Sequence, residues 1–166
     1  MANHMIQGSR IYTSLLRGGS SAEFMANLDQ EMLSGDLVTA YRDAVADCRA
    51  AFHAADALDG IVDYPFGPVP GRQLLGLYVV DAITHTWDLA RAAQLDERLN
   101  PRTVHWILHN FEWIYHGVSE SPITDGNRYY GSPAEASTPV TSEQDRLLRM
   151  MGRSSREGRG PSAGPC

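Results

Sequence analysis

Only two cysteines, Cys48 and Cys166, occur in the 166 residues, too few for a disulfide framework or for a site built from several thiolates. A reducing, cytoplasmic setting fits that scarcity. No apolar run approaches the roughly 18 residues that span a bilayer, and Asn3, His4, Gln7 and Arg10 interrupt the stretch where a signal peptide would stay apolar. Neither membrane insertion nor export by that route is expected. Basic residues number 14 against 20 acidic ones, for a net charge of -6, and they form no stripe that would track a phosphate backbone. Nucleic acid is therefore not an expected partner. Also missing are a G-x-S-x-G elbow, a Walker loop and a G-x-G-x-x-G turn, which leaves little support for nucleophilic or nucleotide chemistry of those kinds.

What is there suits one core. With 43% hydrophobic residues, a chain of this length buries about two thirds of its extended surface. A mainly all-α domain over residues 1–153 is expected, followed by a polar tail at 154–166 that is too rich in Arg, Ser, Gly and Pro to fold alone. Residues 2–17 place Met5, Ile11 or Tyr12, and Leu15 or Leu16 at helical spacing before Gly18 and Gly19. Ala22 to Leu33 reads as a short helix. From Val38, the residues Tyr41, Val45, Cys48, Phe52 and Ala55 continue a seam with steps of three and four, in which Cys48 is a small core hydrophobe. Residues 58–71 change to a hairpin-like loop around Ile61, Tyr64, Pro65, Phe66, Gly67, Pro68 and Pro70. Gly71 to Gln94 forms a long helix, apolar around most of its circumference, that serves as the hub. Asn100 caps the next helix, with Pro101 at its first position and Val104, Ile107 or Leu108, Phe111, and Ile114 or Tyr115 inward. Residues 119–140 are loop-like. Thr141 to Gln144 then reads as a capping box that opens a last helix through Leu147, Leu148 and Met151.

Asp81 and His85 are four apart on the central helix, so their side chains stack on one face and can reach one ion. Carboxylate and imidazole donors suit zinc, nickel or iron. Asp88 lies on the same face one turn on. A carboxylate amid Val79, Val80, Ile83 and Trp87 needs a partner or a metal. Spacing alone favours the plainer reason, a hydrogen-bonded i,i+4 pair that satisfies itself. Of the histidines that could add a third ligand, His4 lies on a face that can point inward, whereas His53 flanks its helix and reads as solvent-exposed. His105, His109, Glu112 and His116 share one face of their helix through steps of 4, 3 and 4. The pair His105 and His109 could bind zinc, but that face lies outside the apolar seam and reads first as a solvated one.

The block from Val80 to Ala92, V-D-A-I-T-H-T-W-D-L-A-R-A, taken with Gln144-Asp145-Arg146-Leu147-Leu148 and Gly152-Arg153, resembles actinobacterial metal-binding proteins. These are related to the N-terminal domain of mycothiol-dependent maleylpyruvate isomerase, in the DinB-like superfamily. Pro65-Phe66-Gly67, Pro70-Gly71 and the opening Asn3-His4-Met5-Ile6-Gln7-Gly8 are similar to the same family. The resemblance implies a four-helix bundle holding a divalent metal, zinc foremost, with nickel or iron as alternatives. It places the ligands at His4, Asp81 and His85. It further implies a metal-dependent, thiol-assisted transferase or isomerase, with mycothiol or another low-molecular-weight thiol as cosubstrate and a small electrophile as substrate. The alternative it leaves is a non-catalytic metal- or small-ligand-binding module. Family members carry a full helix ahead of the His-bearing one, and here only three residues precede His4. The expectation is therefore a shortened or misassigned start, or a bundle completed by a homodimer.

Overall fold

A computed structural model of the chain describes residues 1–27, 35–122 and 142–153. It is mainly helical, with one small antiparallel hairpin. Two compact units divide it, Met1–Ser119 and Glu120–Cys166.

In the first unit, α1 spans Ala2–Leu16 and buries Met5, Ile6, Ile11, Tyr12 and Leu15 on one face. Gly18, at φ +90°, ends it, and Gly19 donates its N–H back to the Ser14 carbonyl at 2.8 Å, as a left-handed C-terminal cap requires. The next helix, α2, covers Ser21–Asn27. It opens on a reciprocal cap: the Ser20 hydroxyl accepts from the Glu23 N–H at 3.2 Å, and the Glu23 carboxylate accepts from the Ser20 N–H at 3.0 Å. That box fixes its start one residue before the expected Ala22. The expected continuation to Leu33 runs into residues 28–34, outside the described residues.

Helix α3 spans Leu37–Phe52, with Asp36 accepting from the N–H groups of Val38 and Thr39. Its inward face keeps Cys48 and Phe52 of the expected seam and departs from the rest. Ala44, Cys48, Ala51 and Phe52 are buried, whereas Val38 is 66% exposed, Tyr41 is 37% exposed, and Ala55 lies past the helix end and is exposed. The small residues let α3 lie close along α1, its main neighbour, and that contact fixes the rotation of the helix in place of the bulkier apolar residues near its start.

The hairpin-like loop is present as β1 (Ile61–Val62) paired antiparallel with β2 (Val69–Pro70), Val62 opposite Val69. Strand β2 runs directly into α4, Gly71–Ala92. Pro70 gives this helix no side-chain cap. Instead, the Gly71 N–H donates to the Gly60 carbonyl and the Arg72 N–H to the Leu58 carbonyl, both at 2.9 Å, which occupies two N–H groups that a helix start leaves open. The approach is so close that a Cβ at residue 71 would overlap the Ala57 carbonyl oxygen.

As expected, α4 is central, packing against α1, the hairpin and α5. Its burial is narrower than a helix apolar all round: Leu74, Leu77, Val80, Thr84 and Trp87 are buried, while Leu89 is 42% exposed. Helix α5, Pro101–Ile114, starts on the Asn100 cap and buries Val104, Ile107, Phe111 and Ile114. The buried Gln73 of α4 donates through Nε2 to the carbonyls of Ile114 (3.1 Å) and His116 (2.7 Å), tying down the C-terminal end of α5.

In the second unit, α6 covers Glu143–Met150. Ser142 is its cap, accepting from the Asp145 N–H at 3.1 Å; Thr141, the expected cap, lies outside the described residues, as do 123–140 and the tail from 154. Leu147, Leu148 and Met151 are buried. Among the described residues, no helix is long and apolar enough to cross a membrane.

Candidate metal centre

The helical register of α4 puts Asp81 and His85 one turn apart, and α1 brings His4 to the same place. Asp81 Oδ1 lies 3.3 Å from His85 Nε2 and 3.9 Å from His4 Nε2. The His4 and His85 rings meet edge to face, with centroids 4.7 Å apart. One ligand atom from each residue falls within 4.8 Å of the others; donors around one ion in a tetrahedral arrangement lie about 3.4 Å apart, close to the Asp81–His85 separation and a little less than that to His4. Gly8, one turn after His4 on α1, leaves the space beside Asp81 open; a Cβ there would sit 3.8 Å from Asp81 Oδ2.

Exposure is graded across the three side chains, 16% for His85, 32% for Asp81 and 41% for His4. The centre is thus closed on its His85 side and open to solvent beside α1. An ion held by three side chains keeps positions for water or substrate, and here they would lie on the open side.

His85 is held from both ends. Its Nδ1 is 3.1 Å from Asp88 Oδ2. A carboxylate only accepts, so Nδ1 carries the hydrogen and Nε2 is the nitrogen directed at Asp81 and His4. A carboxylate behind a metal-facing imidazole is the arrangement that fixes ring orientation and raises donor strength. Burial pulls the His85 pKa down, but the hydrogen bonds and charges of Asp81 and Asp88 outweigh it, and the net shift is upward. Burial likewise pushes the Asp81 carboxyl up, yet His4 and His85 hold it at about 2. Asp81 is therefore a carboxylate at neutral pH, ready as a ligand, with His85 and His4 as its neighbours.

Trp87, two residues beyond His85 on α4, is 3% exposed, with the Arg91 guanidinium carbon 5.0 Å from its ring centroid. Next to the centre along α1, a polar cluster went unread in the sequence. The Ser9 hydroxyl donates to the Met5 carbonyl at 3.0 Å and accepts from the Tyr78 hydroxyl at 3.0 Å. Burial pushes the Tyr78 phenol up to about 12 and raises the Cys48 thiol. Cys48 is fully buried, an inert position for a thiol. His53 is exposed, as are His105, His109, Glu112 and His116.

The three donors, their spacing, and the carboxylate behind His85 fit a divalent ion of borderline softness. No family model matches the chain, and no solved structure matches it. Two proteins described as uncharacterized, from two strains of Mycobacterium tuberculosis, are each 37% identical to it over 65 residues, 39% of this chain. The chain spans about a third of the length of these curated relatives, 36% of each.

Proposed function

We propose that the first unit is a divalent-metal-binding module of the maleylpyruvate isomerase N-terminal, DinB-like type, and that it acts as a metal-dependent, thiol-assisted transferase or isomerase on a small electrophile. The observation that carries this reading is the convergence of His4, Asp81 and His85 from two helices, with Asp88 orienting His85. Zinc is the expected ion, with nickel or iron as alternatives. A bound ion would supply Lewis acidity that lowers the pKa of a thiol. The residues of the chain supply the rest. Asp81 contributes negative charge, His85 and His4 contribute neutral nitrogen donors, Asp88 keeps the His85 hydrogen on Nδ1, and the solvent-open side next to α1 admits a low-molecular-weight thiol of the mycothiol kind.

Metal analysis of the purified full chain tests the reading, combined with transfer of a small thiol to a model electrophile. About one ion lost on Asp81→Ala and on His85→Ala, with turnover lost in parallel, is the expected outcome. Metal uptake indifferent to both substitutions would overturn the metal centre. Normal uptake with no turnover for any thiol tried would leave a binding module in place of an enzyme.

A further inference from the structure

On α5, a helix that contributes nothing to the first centre, His105 and His109 lie one turn apart with ring centroids 3.9 Å apart and planes 38° from parallel. A ring nitrogen of each falls within 4.8 Å of one on the other. His109 Nδ1 is 2.9 Å from the His105 main-chain carbonyl oxygen. A carbonyl can only accept, so Nδ1 carries the hydrogen and the lone pair of His109 is left on Nε2. An imidazole whose other nitrogen donates to a backbone carbonyl has its tautomer and ring orientation set for ligation. Both side chains are exposed, so an ion would reach them from solvent.

We propose that His105 and His109 form a second, surface site for a borderline divalent transition metal, bound by two imidazoles with water in the remaining positions. The chemistry selects the class: two neutral nitrogen donors favour zinc, nickel or copper over magnesium or calcium, which take oxygen ligands. Because the two donors are four residues apart, an ion held between them also clamps one turn of α5. With fewer protein ligands and full access to solvent, this site exchanges its ion more readily than the three-ligand centre does.

Counting Zn2+ bound by the full chain in a calorimetric titration tests this. The deciding quantity is a difference of one ion per chain between the native protein and either His105→Ala or His109→Ala, with His53→Ala matching the native count. Two ions falling to one is expected if the first centre also binds, and one falling to none if it does not, so failure of that centre and failure of this site give different results. Far-UV circular dichroism confirms that the variants remain folded, as exposed positions changed to a strong helix former should. Hydrogen exchange at residues 105–113 should slow on adding Zn2+ in the native chain and stay unchanged in His109→Ala. Equal ion counts in the native chain and both α5 variants would overturn the site.

Discussion

His85 has a carboxylate at each ring nitrogen, and the two have different roles. Asp81 shares the place an ion would take, whereas Asp88 sets the orientation of the ring. Removing the orienting partner, Asp88→Ala, should lower zinc affinity about 10- to 100-fold, read by competition with a chelator of known strength. An unchanged affinity would show that packing alone holds the ring. A second prediction concerns Tyr78. Its phenol ionises near 10 in the unfolded chain and at about 12 when folded. The raised value means its contribution to stability is intact below pH 10 and is lost as pH rises toward 12. The stability of the native protein relative to Tyr78→Phe, measured by denaturant melts, should therefore decline across that window. Trp87 is buried, and Trp87→Ala should cost about 3 to 5 kcal/mol by the same measurement. At this scale the sequence shows Asp81 and His85 through their spacing, and His4 through a face that can point inward and through resemblance, because nothing local links position 4 to position 81. The Ser9 to Tyr78 hydrogen bond could not be read, for it exists only once two distant helices meet.

Among the elements, the start of α5 was legible, because the Asn100 cap and Pro101 behind it are written in side chains. Asp36 and Ser142 cap α3 and α6 in the same way, but the sequence reads only as a seam from Val38 and as a capping box from Thr141. The rotation of α3 was legible only in part. Cys48 and Phe52 of the expected seam are buried, but contact with α1 turns Ala44 and Ala51 inward in place of Val38 and Tyr41, where closeness counts for more than bulk. The start of α4 is likewise written in backbone. Gly71 sits against the Ala57 carbonyl, and Gly71→Ala should cost on the order of 3 kcal/mol, because backbone on both sides must shift. Gly8 offers a control. A Cβ there makes an ordinary contact, so Gly8→Ala should stabilise α1 by up to about 1 kcal/mol. Thermal melts showing equal effects at the two glycines would contradict the distinction.

For the molecule as a whole, the three donors of the first centre all belong to the Met1–Ser119 unit, yet they are far apart along the chain. An ion present at about 100 times its dissociation constant would stabilise the folded unit by about 2.7 kcal/mol. The effect divides unevenly between the two directions of folding. His4 reaches Asp81 and His85 only after α1 has docked on α4, a pairing of distant segments that closes a long loop and is entropically costly to bring together. The complete set of donors is thus a late product of folding, and an ion that needs all three grips the native state more than the transition state. Zinc should therefore slow unfolding while leaving the refolding rate nearly unchanged. With the proposed ion bound, the meeting of α1 and α4 at His4 would act as a latch on the time the protein stays folded, set by metal supply and independent of how fast the chain first folds.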